Sequence, residues 1–358
     1  MPDVRDRRPG GVTPPERALA TIDLGAIERN CARLPKPLCA VVKSDAYGHG
    51  PVAAAALAGG ASWLAVAAAG EAAELRRQGI EAPILVMGAV TEAELRTAVE
   101  ANADVVAWTE QVAEAAPRVH VKLDTGMGRL GTKDRELALR LAARPNVVGL
   151  MTHFATADEP GDELFDAQLA TFSEFVEAVG REDLISHAAN SAAALRDPAS
   201  HFDLVRCGIA VYGMDPLGVD PAAHGLEPAL SLRSWVAAVR RFEPGDSAGY
   251  GRRWTASEPT WVATIPIGYG DGWRRGLSNN CDVLIAGRRH PLVGTVSMDN
   301  ITVALGPDTD VAVGDEVVLL GAQGEERILA EEVARRLDTI NYEVTCALTP
   351  RVRRQQVS

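Results

Sequence analysis

A chain of 358 residues that is 47% hydrophobic and 23% charged can bury a large core without disulfide staples, and its length predicts more than one domain. A formal net charge of −12 leaves no broad basic surface for phosphate backbones, although a local cluster remains at 351–354, so nucleic acid is not an expected partner. Five scattered cysteines without a Cys-x-x-Cys pair suit a reducing compartment and argue against structural zinc, and no apolar run approaches the roughly 20 residues of a membrane helix, so no membrane is implied and a cytoplasmic enzyme is expected.

Residues 1–17 carry arginines and prolines but no apolar h-region, which predicts a disordered leader rather than a signal peptide or anchor. Residues 17–23 read as a strand that could join either domain. From 39 to 208 short apolar runs alternate with alanine- and glutamate-rich stretches whose apolar residues recur at three- and four-residue spacing. The strand candidates are 39–43, 63–67, 83–88, 104–108, 119–124, 147–153, 184–190 and 202–208; helices are predicted at 71–78, 92–100, 135–143 and 163–179. Eight such βα repeats predict an α/β fold, a TIM-type (β/α)8 barrel over 18–230, with 18–24 able to pair with the C-terminal domain instead. An open doubly wound sheet is the alternative. After Leu230 the sequence turns to β-rich runs separated by glycines, which predicts a second, mostly β domain over 231–358 with one late helix at 328–337.

The reactive side chains fall where a barrel places its chemistry, at or after the C-terminal ends of strands: Lys43, Asp124, Arg129, His153, Asn190, Ser191 and Arg206. A lone lysine at a buried strand end is more often an ion-paired structural residue. In VVKSDAYGHG (41–50), however, Lys43 is followed by Tyr47 and two glycines, which suits an amine that attacks a carbonyl to form an imine, with a hydroxyl nearby for an anion. Ser191 at a helix start and Gly208 after the eighth strand fit a phosphate, and each alone reads equally as a cap or a turn. Tyr250 and Tyr269 lie in glycine-flanked loops, and 294–300 forms a polar turn. None of the seven histidines forms an HxH or HExxH pattern, so no metal site is expected.

Taken together, VVKSDAYGHG, KLDTGMGRLG (122–131), THFATADE (152–159), HAANSAAAL (187–195), VRCGIAVYG (205–213), AGYGRRWTA (248–256), IPIGYGDGW (265–273), SMDN (297–300) and TINYEV (339–344) resemble the alanine racemase family through both domains. The resemblance implies a pyridoxal 5'-phosphate enzyme that interconverts L- and D-alanine, supplying D-alanine for peptidoglycan. Lys43 would carry the cofactor as a Schiff base and serve the D-enantiomer; Tyr250 would serve the L-enantiomer. Tyr47, Ser191, Gly208, Ile209 and Tyr342 would hold the phosphate, with Asn190 beside them. Arg206 would face the pyridine nitrogen and keep it unprotonated, and His153 would join Tyr250 to Arg206. Arg129 would reach the cofactor's phenolic oxygen and the substrate carboxylate, oriented by a carbamylated Lys122. The family's head-to-tail homodimer, with shared sites, would make Tyr250, Tyr269, Met298 and Asp299 act on the partner's barrel. The departures Ser44-Asp45 and Gly270 remove no catalytic group. A broad-specificity or serine racemase, or a non-catalytic carrier of the cofactor, are the alternatives; a carrier has no use for Tyr250 or the second domain.

Overall fold

The computed structural model describes residues 16–358, in two units: Gly25–Glu227, and the chain up to Leu24 together with Pro228–Ser358. The first strand, β1 (Leu19–Asp23), belongs to the second unit. The expected leader lies outside the described residues except for Glu16 and Arg17.

The Gly25–Glu227 unit is built on eight parallel strands: β2 (Leu38–Val41), β3 (Trp63–Val66), β4 (Ile84–Val86), β5 (Asp104–Ala107), β6 (Val119–Lys122), β7 (Val147–Met151), β8 (Ile185–His187) and β9 (Val205–Cys207). They pair in the order β8-β7-β6-β5-β4-β3-β2-β9. The two end strands are joined by Asp203 N–H to Ser186 O and Arg206 N–H to Ala189 O, each 2.9 Å, so the sheet closes into a barrel as the sequence predicted. Every residue of β2, β5 and β6 is buried, because outer helices and inward side chains cover both faces of a parallel strand. Helices form at Ala69–Arg77, Glu92–Glu100, Arg135–Ala142 and Leu164–Val179, close to the predicted spans. Local chemistry sets their ends: Thr91 and Glu94 form a capping box, Asp134 accepts from Leu137 N–H, and Gly180 closes the longest helix at φ 60°.

One local expectation needs correction. The first barrel strand stops at Val41, and Lys43 opens a turn rather than ending the strand, with Ser44, Asp45, Ala46 and Tyr47 at φ 55°, 53°, 51° and 56°. A left-handed conformation costs roughly 1–2 kcal/mol per L-residue, so neighbours must hold this turn. Glu71 does so: its carboxylate accepts from the N–H groups of Ser44 (2.6 Å), Ala67 (2.8 Å) and Ala68 (3.0 Å).

In the second unit β1 pairs antiparallel with β10 (Leu230–Trp235) and parallel with β18 (Arg353–Val357). That sheet continues from β10 through β16 (Glu316–Gln323) and β13 (Asp282–Ile285) to β14 (Arg288–Pro291), with β17 (Glu326–Ile328) on β16. A second sheet holds β11 (Ala238–Phe242), β12 (Thr260–Ile265) and β15 (Ile301–Gly306). Burial alternates along β1, β10 and β15, the signature of strands with one face on a core. The late helix spans Ala330–Arg336. The basic cluster at 351–354 is partly engaged internally: Arg351 pairs with Asp271 and Asp299, and Arg354 donates to the carbonyls of Leu348, Thr349 and Val352. Among the described residues no helix is long and apolar enough to cross a membrane.

Candidate active site

The barrel unit places Arg206, from β9, at the centre of a buried polar network. Its Nη1 bonds His187 Nδ1 (2.7 Å), while Nη2 reaches the carbonyls of Thr152 (2.8 Å) and Ala188 (2.9 Å) and His153 Nδ1 (3.2 Å). Its Nε is buried with no hydrogen-bond partner among the described residues. Burial lowers the guanidinium pKa to about 10, so it stays charged at neutral pH. His153 is held well below the ordinary histidine range, first by burial and then by four cations, Arg206, Lys122, Arg129 and Lys43. A neutral His153 that accepts at Nδ1 carries its proton on Nε2. These five expected site residues therefore converge, and their joint positive charge suits an anionic ligand.

Beside them lies a cradle of small groups. Ser191 Oγ accepts from the N–H of Gly208 (3.0 Å) and of Ala210 (3.4 Å). A Cβ on Gly208 would lie 2.3 Å from the Tyr47 hydroxyl, so glycine is what lets tyrosine and backbone approach this closely. Ile209 is fully buried behind them. Tyr212 donates to Val41 O (2.7 Å) and packs against Tyr47 with ring centroids 5.1 Å apart, supporting the turn that carries Lys43. Asn190 caps the helix Ser191–Arg196, its Oδ1 accepting from Ala193 N–H (2.9 Å).

Lys122, at the end of β6, is 4% exposed, and burial followed by repulsion from Arg206 and Arg129 lowers its pKa to about 8. The loop after it is tied by Asp124, whose Oδ1 accepts from Gly126 N–H (3.1 Å) and Gly128 N–H (3.0 Å). Partial burial opposes ionisation of Asp124, yet these bonds outweigh it and keep its pKa below the usual range. Arg129 sits exposed on that loop.

The remaining candidates stand on the second unit. Tyr250 is 74% exposed, its carbonyl accepting from Thr295 Oγ1 (2.7 Å). Tyr269 and Met298 are 42% and 51% exposed on two turns locked together by Tyr269 N–H to Ser297 O (3.0 Å) and Gly270 N–H to Met298 O (2.9 Å). Asp299 pairs with Arg351 at 2.7 Å, and its carbonyl accepts from Arg17 Nη2 (2.8 Å). Tyr342 is half-buried on the helix Asn341–Cys346. Among the described residues no cluster of His, Cys, Asp and Glu is arranged to hold a metal.

Sequence reasoning missed three residues behind Arg206: Asp104, His120 and His187. The signal was present in VHVK, where His120 lies two residues from Lys122 on a strand and so shares its inward face. It missed Glu71 because a carboxylate in an exposed-looking helix carries no mark of the loop it binds.

The alanine racemase N-terminal domain family matches residues 22–216, and the alanine racemase C-terminal domain family matches residues 229–356. Alanine racemase from Symbiobacterium thermophilum is 42% identical, over 94% of this chain and 96% of that one; the enzyme from Geobacillus stearothermophilus is 43% identical, over 94% and 92%. Among solved structures, alanine racemase from the D-cycloserine producer Streptomyces lavendulae superposes with a TM-score of 0.90 at 37% identity, covering 97% of this chain and 98% of that one.

Proposed function

The chain belongs to the alanine racemase family and is an amino-acid racemase, and from that premise we propose that it interconverts L- and D-alanine using pyridoxal 5'-phosphate held by Lys43. The observation that carries the cofactor assignment is Arg206 Nε, a buried donor left unpartnered at the centre of the site, where a pyridine nitrogen is the acceptor it lacks. The Tyr47, Ser191 and Gly208 cradle fits a phosphate, and Ile209 N–H and Tyr342 are proposed to complete it. Bound there, the cofactor supplies an aldehyde for the Lys43 amine and an electron sink that acidifies the Cα–H of an amino acid.

Lys43 Nζ takes or delivers the proton on one face of Cα and the Tyr250 hydroxyl on the other, Lys43 serving the D-enantiomer and Tyr250 the L-enantiomer. His153, protonated on Nε2, has a hydrogen bond to offer the Tyr250 oxygen, and so links it to the positive charge of Arg206. Because an arginine does not give up its proton at neutral pH, Arg206 leaves the pyridine nitrogen unprotonated, which limits side reactions relative to racemisation. Arg129 holds the substrate carboxylate, assisted by Met298 N–H, while Tyr269 and Asp299 line the approach. A neutral Lys122 amine, available because its pKa is lowered to about 8, adds to carbon dioxide and releases one proton to give a carbamate anion that orients Arg129.

The exposure of Tyr250, Tyr269 and Met298 supports a head-to-tail homodimer in which each second unit serves the partner's barrel. We place the enzyme in the cytoplasm, supplying D-alanine for peptidoglycan. Borohydride reduction of the purified protein followed by peptide mapping tests the cofactor assignment: a phosphopyridoxyl group on Lys43 supports it, and an unlabelled Lys43 in a protein that has taken up the cofactor overturns it.

A further inference from the structure

A continuous hydrogen-bonded chain runs from the N-terminal end of the barrel to Arg206. Arg118 Nε donates to Asp104 Oδ1 (2.5 Å), Asp104 Oδ2 meets His120 Nε2 (3.2 Å), His120 Nδ1 meets His187 Nε2 (2.8 Å), and His187 Nδ1 meets Arg206 Nη1 (2.7 Å). Both imidazoles are fully buried, and Asp104 is 2% exposed. Asp104 and Arg118 line a cavity of about 320 Å³ among the strand starts, so the carboxylate end is the one nearest solvent.

The proton positions along this chain follow from donor and acceptor chemistry. A guanidinium only donates, so His187 Nδ1 must accept, and its one ring proton sits on Nε2. That proton points at His120 Nδ1, which must also accept, leaving the His120 proton on Nε2, aimed at Asp104. Asp104 accepts on both oxygens, from His120 and Arg118, and has no proton to give back. Burial disfavours the Asp104 charge, but the bonds from His120 and Arg118 outweigh it and hold the carboxyl below the usual range. Reversing either imidazole would set one N–H against another, and at the last link would set His187 against Arg206.

We propose that Asp104 is a positioning residue for the reaction: by accepting the His120 Nε2 proton it holds the two rings in the tautomers that Arg206 requires, so that a neutral imidazole, and not a carboxylate, anchors Arg206. The consequence is electrostatic. The anion that orders the chain stands three links from the guanidinium, so Arg206 is held without being neutralised and keeps its full charge toward the ligand at Nε.

The inference rests on the proposed role of Arg206 toward the cofactor, and the tautomers are read without turnover. The expected tautomers in an inactive protein would therefore count against that role alone, and the reverse result against the relay alone. The test is solid-state NMR of cofactor-loaded protein labelled with ring-15N histidine. In the wild type, His120 and His187 each show a single protonated nitrogen, Nε2; an Nδ1-protonated or doubly protonated His187 overturns the proposal. Asp104→Leu removes the terminal acceptor and leaves the His120 Nε2 proton buried without a partner, so we expect His120 to populate its other tautomer at the expense of the bond to His187, with cofactor affinity about tenfold weaker. Asp104→Asn, which retains an acceptor oxygen, restores the wild-type pattern. Should Asp104→Leu fail to fold, Asp104→Ala replaces it. A folded variant without the acceptor that keeps His120 in its single wild-type tautomer contradicts the proposal.

Discussion

Gly149 and His120 compete for the same space inside the barrel: a Cβ on Gly149 of β7 would lie 2.1 Å from His120 Nδ1. The imidazole reaches His187 only because its neighbouring strand has no side chain there. Gly149→Ala is expected to displace His120, break its 2.8 Å bond to His187 and cost about 1–3 kcal/mol, the usual penalty of overpacking. Urea unfolding of the variant beside the wild type checks this; an unchanged midpoint contradicts it.

Glu71 bonds three backbone N–H groups around the turn that presents Lys43. Glu71→Ala leaves those donors without their charged acceptor and is expected to destabilise the protein by about 2 kcal/mol. Because Ser44–Tyr47 lie in the left-handed region and depend on that support, cofactor retention on dialysis should fall together with the unfolding midpoint.

Lys122 gives a pH dependence with a definite sign. Its folded pKa, about 8, lies below the ordinary 10.5, so between those values the unfolded chain binds more protons than the native one and stability rises with pH. In carbon dioxide-free buffer the wild type should gain about 3 kcal/mol relative to Lys122→Met across that interval, and nothing below it. In 13C-bicarbonate, a carbamate carbon signal should appear in the wild type and be missing from Lys122→Met.

The proposed sharing of sites between subunits makes a prediction about mixtures. Lys43→Ala and Tyr250→Phe are each expected to be inactive alone, but a heterodimer of the two recombines one intact Lys43 barrel with one intact Tyr250. Random subunit exchange should restore about a quarter of the wild-type rate. No recovery after demonstrated exchange would place Lys43 and Tyr250 on the same chain at each site.

The barrel was legible because its code is repetitive. Apolar strands bounded by turns recur eight times, and the helices between them keep their apolar spacing, so spans such as 92–100 matched to the residue. Lys43, Arg206 and Ser191 stood out in the sequence as polar residues beside apolar runs or at a helix start, and the structure sets Lys43 and Arg206 around the same histidine, His153. What stayed hidden depends on contacts distant in sequence. The left-handed turn after Val42 is stabilised by Glu71, 27 residues beyond Ser44, and in Ser-Asp-Ala-Tyr only Asp45 is of a type that readily takes positive φ. The relay behind Arg206 joins four strands, and no local pattern announces that Asp104, His120 and His187 meet. β17 and β18 were missed because short strands with charged residues, such as Arg353–Val357, lack an apolar period.

The measurement that bears most directly on the whole account is incubation of purified, cofactor-loaded protein with L-alanine, followed by chiral chromatography, with the visible absorbance of the cofactor imine recorded on the same sample. The account predicts a yellow protein that brings L-alanine to an equal mixture with D-alanine. It predicts loss of both colour and turnover in Lys43→Ala, and of turnover alone in Tyr250→Phe. A yellow wild-type protein that leaves L-alanine unchanged, or a Tyr250→Phe variant that racemises at the wild-type rate, would contradict it.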